Sequence, residues 1–315
     1  MITQLRGSLS GPMLLVVGIS ILGFSDNLVL VVSDSASVGQ FHFIRSVFII
    51  IGILLVARLM GLSVVPKRWP LMLIRTFCMV SAILLYFTAM PLMPIPEAGA
   101  GLFTSPIFVL MFSGIFLKEA IGLKQITMVV IGMLGMVLIL APNIGGLTLF
   151  HLFPLGAGAM YAIASMLTFR YLSGESPLSI LLCFMLGIGI CGGLITTVFS
   201  IFPVSQVWMD EARFLFSPWT EVSKDYLLWV GIIAMLSLLA LVCITRAYQM
   251  TKTSQAAIYE YAYLVSVGIS SYFIWDVVPP PLGLIGIGLI VATGLTISLY
   301  GERTRLKNVS ERSVV

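Results

Sequence analysis

Four ionisable residues interrupt otherwise apolar stretches of this chain: Asp26, Arg45, Glu97 and Glu260. A charge in hydrocarbon costs roughly 2.5–3.5 kcal/mol even on lenient insertion scales, so each needs a partner or a water-filled space. Asp26 lies about 21 Å into the first apolar stretch, at 1.5 Å per helical residue, and Arg45 sits about one turn into the second, at 3.6 residues per turn. At matched depths, the carboxylate and guanidinium can take the opposite charges of a zwitterionic solute, Asp26 can exchange a proton, or the two can lock each other as a fixed ion pair. Glu260 stands among Tyr259, Tyr261 and Tyr263. A carboxylate withdrawn from water can load a proton at one face and release it at the other, unless Arg246 pairs with it. Glu97 opens an apolar segment, where it suits the positive end of a helix dipole. Tyr86, Tyr161, Tyr248 and Tyr263 offer rings for stacking and hydroxyls for orienting a solute.

The elements that must position these groups are membrane helices. Of 315 residues, 59% are hydrophobic and 10% charged, and the mean hydropathy is +1.10, far from the balance of soluble domains. Apolar runs near the ~20 residues needed to span a bilayer predict ten helices, at 12–31, 41–60, 70–90, 96–116, 124–141, 152–172, 179–202, 227–248, 256–275 and 282–300. With the N-terminus inside, Arg6, Arg58, Lys67, Arg68, Lys118, Lys124, Arg170, Lys252 and the basic tail from Arg303 to Arg312 fall in cytoplasmic segments, and only Arg213 and Lys224 fall outside. Both termini are therefore expected in the cytoplasm. Arg75 and Arg246, near cytoplasmic helix ends, are expected to snorkel to the headgroups, and His42 and His151, at helix edges, to reach water. The segment from Pro203 to Tyr226 mixes acids with Trp208, Phe214, Phe216 and Trp219, and reads as an interfacial connector that can also cover a cavity mouth.

An internal repeat organises the helices. Ala89-Met90-Pro91-Leu92 aligns with Ala247-Tyr248-Gln249-Met250 at a spacing of 158 residues, and Pro96-Glu97-Ala98 with Ser254-Gln255-Ala256. Five helices per repeat is an odd number, so the second half enters the membrane inverted. The expected fold is all-α and integral to the membrane, with ten transmembrane helices as two inverted five-helix repeats, residues 1–146 and 147–315. Inverted repeats suit alternating access around one central site. Gly99 and Gly101, Gly156 and Gly158, and Gly189 and Gly193 mark close helix contacts.

Arg75-Thr76-Phe77, Tyr86-Phe87-Thr88-Ala89-Met90, Leu92-Met93-Pro94-Ile95-Pro96-Glu97-Ala98, Thr104-Ser105-Pro106-Ile107-Phe108 and Leu117-Lys118-Glu119 follow in an order that resembles the EamA family of the drug/metabolite transporter superfamily. The resemblance implies a central cavity lined by helices 1 to 4 and 6 to 9, with helices 5 and 10 peripheral. Residues 125–141 and 282–300, which hold no ionisable side chain, agree. Two positions depart from the pattern: Lys118 replaces the usual Gly before Glu119, and Leu264 stands opposite Pro106, removing the proline that would kink the ninth helix.

The expectation is a secondary transporter in the inner (plasma) membrane, moving a small organic metabolite, with export of an amphipathic or zwitterionic compound ahead of uptake or exchange of a vitamin or nucleoside-like solute. Asp26, Arg45, Tyr86, Tyr161, Tyr248 and Tyr263 are the expected substrate contacts, and Glu260 and Asp26 the expected proton sites. No Walker motif supplies ATP chemistry. With no HExxH, DDxxD or paired histidines, a lipid-modifying enzyme is a remote alternative. No cofactor, metal or nucleic acid is implied. The lipid bilayer is the expected surrounding, and a homodimer is left open.

Overall fold

Serines and glycines set the helix ends. In the computed structural model, residues 10–33, 35–89, 102, 104–116, 118, 121–140, 149–211, 213–251, 256, 258–276, 281–289, 291–293 and 296 are described. Ser10 and Pro12 open α1 (Gly11–Asn27), which tightens into a 3-10 turn at Leu28–Val31. Ser37 caps α2 (Val38–Met60) by accepting from the Gln40 N–H, and Gly61 ends it at φ 62°, a left-handed conformation that costs glycine little. Next come α3 (Trp69–Ala89), α4 (Ser105–Phe116), α5 (Leu123–Leu140) and α6 (Leu152–Arg170). Ser176 caps and Pro177 starts α7 (Pro177–Ile201), in keeping with proline's fit to the first helical turn. Two short helices follow, α8 (Gln206–Glu211) and α9 (Arg213–Phe216). Ser223 then caps α10 (Lys224–Met250), and α11 (Ala262–Trp275) and a helical run at 281–289, α12, complete the set.

All the regular structure among the described residues is helical. α1 with its 3-10 extension, α2, α3, α6, α7 and α10 are each long and apolar enough to cross a membrane, and α4, α5, α11 and α12 are shorter apolar helices. Leu59, Phe77, Leu123 and Phe273 point outward and are largely exposed, as lipid-facing side chains are. The chain is an integral membrane protein.

The helices stand side by side in the neighbour order α4, α6, α3, α7, α2, α10, α1, α11. A hydrogen bond from Ser105 to Glu260 joins the two ends of this row. At its centre α2 crosses α7 with backbones nearly touching. A Cβ on Gly192 would lie 2.6 Å from the Gly39 carbonyl oxygen, and one on Gly39 2.7 Å from that of Gly192. Gly189 against Ser46 and Gly193 against Phe43 extend the seam. The sequence flagged Gly189 and Gly193 but missed the tighter Gly39–Gly192 crossing. Ile49, Ile53, Leu181, Phe184, Met185 and Ile188 fill the core beside it. α5 packs through Val129 and Met136 on α4 and on Ile258 and Tyr261, outside the row.

The ninth expected helix is not continuous. Residues 258 and 259 are helical, Glu260 and Tyr261 form a turn, and α11 starts at Ala262. The Tyr263 N–H donates to the Glu260 carbonyl at 3.0 Å and the Leu264 N–H to that of Tyr261 at 3.1 Å. These are i+3 bonds, so the chain turns here although Leu264 stands where a proline would kink the helix. The fourth expected helix is described as a helix from Ser105 onward. Glu97, Gly99 and Gly101 lie outside the described residues.

Candidate functional site

Two polar clusters form where these helices face one another. The first gathers around Asp26, near the end of α1. Tyr263, in the first turn of α11, donates its hydroxyl to Asp26 Oδ2 at 2.7 Å. Tyr86 on α3 and Arg45 on α2 act electrostatically on the same carboxylate. All four side chains are half-buried, so they border space rather than fill a core. The expected fixed ion pair does not form, because Asp26 and Arg45 approach no closer than the 4.0 Å limit of a salt bridge. Arg45 turns instead along its own helix. Its Nη2 lies 3.3 Å from His42 Nδ1, its guanidinium sits 5.2 Å from the centre of the Phe41 ring, and its Nε is buried without a partner. A carboxylate held by a phenol and a guanidinium with donors to spare leave both charges able to meet a ligand.

Below Asp26, α1 and α11 are stitched by groups that the sequence reading passed over. Ser271 donates to Asn27 Oδ1 and Ser266 to the Ser20 carbonyl, each at 2.7 Å, and Asn27 Nδ2 reaches the Val267 carbonyl at 3.4 Å.

The second cluster surrounds Glu260, which is 5% exposed. Tyr248 of α10 donates its hydroxyl to Glu260 Oε1, Ser105 of α4 donates to Oε2 at 3.3 Å, and Tyr161 of α6 bonds the same carboxylate. Tyr161 also bonds Tyr248, which bonds Ser165. Arg246 is not a partner. Its Nη1 reaches Gln249 Oε1 at 3.4 Å, which overturns the alternative pairing expected for Glu260. A carboxylate held by three hydroxyls and no cation is suited to both protonation states, since hydroxyls can donate or accept.

Arg75 and His42 correct two further expectations. Arg75 does not snorkel. It is 4% exposed, donates from Nε to Thr168 Oγ1 at 3.3 Å, lies 5.9 Å from the Phe184 ring centre and leaves Nη1 buried without a partner. It stands seven residues inside α3 on the face turned to α6 and α7, so its side chain is covered before it reaches the helix end. His42 is 6% exposed, because the packing of α7 and the ring of Phe87, 5.0 Å away, cover that turn of α2. The His151 side chain lies outside the described residues. Among the described residues no three His, Cys, Asp or Glu side chains gather to hold a metal ion.

The structure thus brings Asp26, Arg45, Tyr86 and Tyr263 together, and Tyr161, Tyr248 and Glu260 together. Such polar groups inside an apolar bundle fit the passage of a polar solute. Residues 9–141 match the EamA-like transporter family. The chain is 25% identical to the riboflavin transporter of Vibrio cholerae serotype O1 over 77% of its own length and 74% of that protein. It is 24% identical to the pseudopaline exporter of Pseudomonas aeruginosa over 92% of its length and 96% of that protein. A solved crystal structure superposes with a TM-score of 0.71 at 19% identity, covering 92% of this chain and 98% of the other, and shows the same fold. The EamA-like family and these relatives are transporters of small molecules by name, not enzymes.

Proposed function

We propose that the protein is a secondary transporter that moves a small organic metabolite by alternating access between two inverted five-helix repeats, residues 1–146 and 147–315. The observation that carries this reading is the order of the helices. Pairing α1 with α6, α2 with α7, α3 with α10 and α4 with α11 turns the row α4, α6, α3, α7, α2, α10, α1, α11 into its own reverse. Two interleaved halves related by a two-fold axis have that property, and such halves supply two related conformations around one site.

In this reading Asp26 and Arg45 take opposite charges of the solute while Tyr86, Tyr161, Tyr248 and Tyr263 orient it. Glu260 carries a coupling proton, with Asp26 as the second proton site. The turn at Glu260 and the start of α4 at Ser105 meet, in keeping with the use of interrupted helices at transporter sites. Both termini face the cytoplasm of a cell whose inner membrane holds the protein. Export is the preferred direction, supported by the exporter whose length is matched almost throughout.

The test is uptake of labelled amino acids, vitamins and nucleosides into proteoliposomes, with and without a pH gradient. Protein-dependent flux that grows with the gradient and collapses in Glu260→Gln supports the coupled mechanism. Flux indifferent to both demotes Glu260 to a structural role, and no protein-dependent flux of any solute removes the reading.

A further inference from the structure

At the end of the bundle where α2 runs into α3 and α6 into α7, Lys67, Arg68, Arg170, Tyr171 and Glu175 line a cavity of about 390 Å³. Three cations there share the walls with a single acid. That acid is already engaged. Glu175 is 6% exposed, and its carboxylate accepts backbone N–H groups from the α2–α3 connection. The Lys67 N–H lies 3.0 Å from Oε1 and 3.1 Å from Oε2, and the Arg68 N–H 2.8 Å from Oε1. Among the described residues no cationic side chain stands within the 4.0 Å of a salt bridge to it. The three side-chain charges are therefore not neutralised from within the cavity.

The same bonds hold the walls in place. Glu175 ties the α2–α3 connection to the α6–α7 connection. Gln249 of α10 supports the latter, donating from Nε2 to the Leu172 and Glu175 carbonyls at 2.9 and 2.8 Å. Arg68 donates from Nη1 to the Tyr171 carbonyl at 3.1 Å, and a guanidinium has further N–H groups to present. The Lys67 and Arg170 side chains are exposed. Beside the cavity, an apolar strip begins at Trp69 and continues through Leu73 and Phe77. Residues four apart share a helix face, and all three are half or more exposed. Trp69 and Tyr171 are aromatic types that favour the headgroup level of a bilayer.

We propose that this cavity binds the phosphate of an anionic phospholipid, whose acyl chains lie along Trp69, Leu73 and Phe77. Phosphate matches the fork of an arginine and the point charge of a lysine, and basic pockets between transmembrane helices suit such headgroups. A soluble phosphate meets the same cations but leaves the apolar strip uncovered. The site shares no residue with the clusters at Asp26 and Glu260. Its lipid bridges two helix connections from different halves of the chain, whatever solute the bundle carries.

The test is native mass spectrometry of the delipidated full-length protein in detergent, titrated with dioleoylphosphatidylglycerol or dioleoylphosphatidylcholine. The wild type binds one phosphatidylglycerol at least about tenfold more tightly than phosphatidylcholine, since each cation beside an anionic headgroup is worth about fivefold in affinity. The double variant Lys67→Gln, Arg170→Gln loses that preference while eluting on size exclusion as the wild type does. The double variant Lys67→Arg, Arg170→Lys keeps both charges and keeps the preference. Arg58→Gln removes a cation from the last turn of α2, outside the cavity, and leaves it unchanged. Equal binding of the two lipids, or a loss in Arg58→Gln as large as in the charge-removing double variant, overturns the proposal by reducing the site to general surface attraction. Displacement of phosphatidylglycerol by an equal concentration of glycerol 3-phosphate overturns the lipid assignment, because the strip along α3 then contributes nothing.

Discussion

Ser105 and Glu260 are 155 residues apart in sequence and 3.3 Å apart in the fold. One opens α4, and the other occupies the turn just before α11. Their hydrogen bond closes the helix row, and it puts a carboxylate at the junction rather than an apolar contact. Tyr248 and Tyr161 reach the same carboxylate from α10 and α6, so three helices converge on one ionisable group.

Tyr248→Phe should therefore uncouple before it unfolds. Removing one of three hydroxyls costs about 1–3 kcal/mol when the acceptor stays buried, which lowers the melting temperature in detergent. Gradient-driven flux should fall further than gradient-free exchange of the same solute, and equal loss of both would show that the phenol only supports the fold.

Tyr263→Phe and Asp26→Asn should act on substrate affinity. A hydrogen bond to a charged group contributes about 1.5–3 kcal/mol, so the apparent Kd for a charged solute should rise by roughly tenfold or more in each variant. The double variant should lose less than the sum of the two, because the side chains bond each other. Additive losses, measured by competition against a labelled solute, would place the two residues on separate tasks.

Much of the framework was legible from composition and spacing alone. Apolar runs placed the six long helices within a few residues of their ends, because length and hydropathy are what a bilayer selects. Asp26, Tyr263 and Glu260 stood out because ionisable and phenolic groups are rare in such runs. The partners were not legible. That Asp26 would meet Tyr263 rather than Arg45 depends on rotamers and on α11 starting at Ala262, six residues into the apolar run at 256–275. The burial of Arg75 and His42 was hidden for a related reason. Distance from a helix end is readable in sequence, but the neighbour that covers a side chain comes from elsewhere in the chain.

Gly192→Ala should be severely destabilising despite adding one methyl group. Its Cβ would stand 2.6 Å from the Gly39 carbonyl oxygen, and backbone on both sides leaves nothing flexible to yield. Overpacking of this kind costs about 1–3 kcal/mol or more. Gly156→Ala, whose Cβ would sit 3.5 Å from Leu85, should be nearly neutral. A melting comparison of the two variants by size exclusion checks the contrast.

Arg75→Met should leave the protein as stable as the wild type, or raise its stability by about 1–4 kcal/mol, since replacing a buried, incompletely paired charge by an apolar chain of similar length often does. Thermal unfolding in detergent measures this. A marked loss of stability would mean that the guanidinium is held by more than Thr168 and Phe184.

α1 leans on α10 and α11, while α6 leans on α3 and α4. Each wall of the bundle is consequently woven from helices of both halves of the chain, and the α2–α7 crossing and the α6–α10 contact lie between the walls. A cut after residue 146 would divide the chain across this weave instead of along it, leaving each fragment with a face shaped for the other. In the proposed alternation, what swings is not one end of the polypeptide against the other, and a residue's position along the chain does not say which wall it moves with.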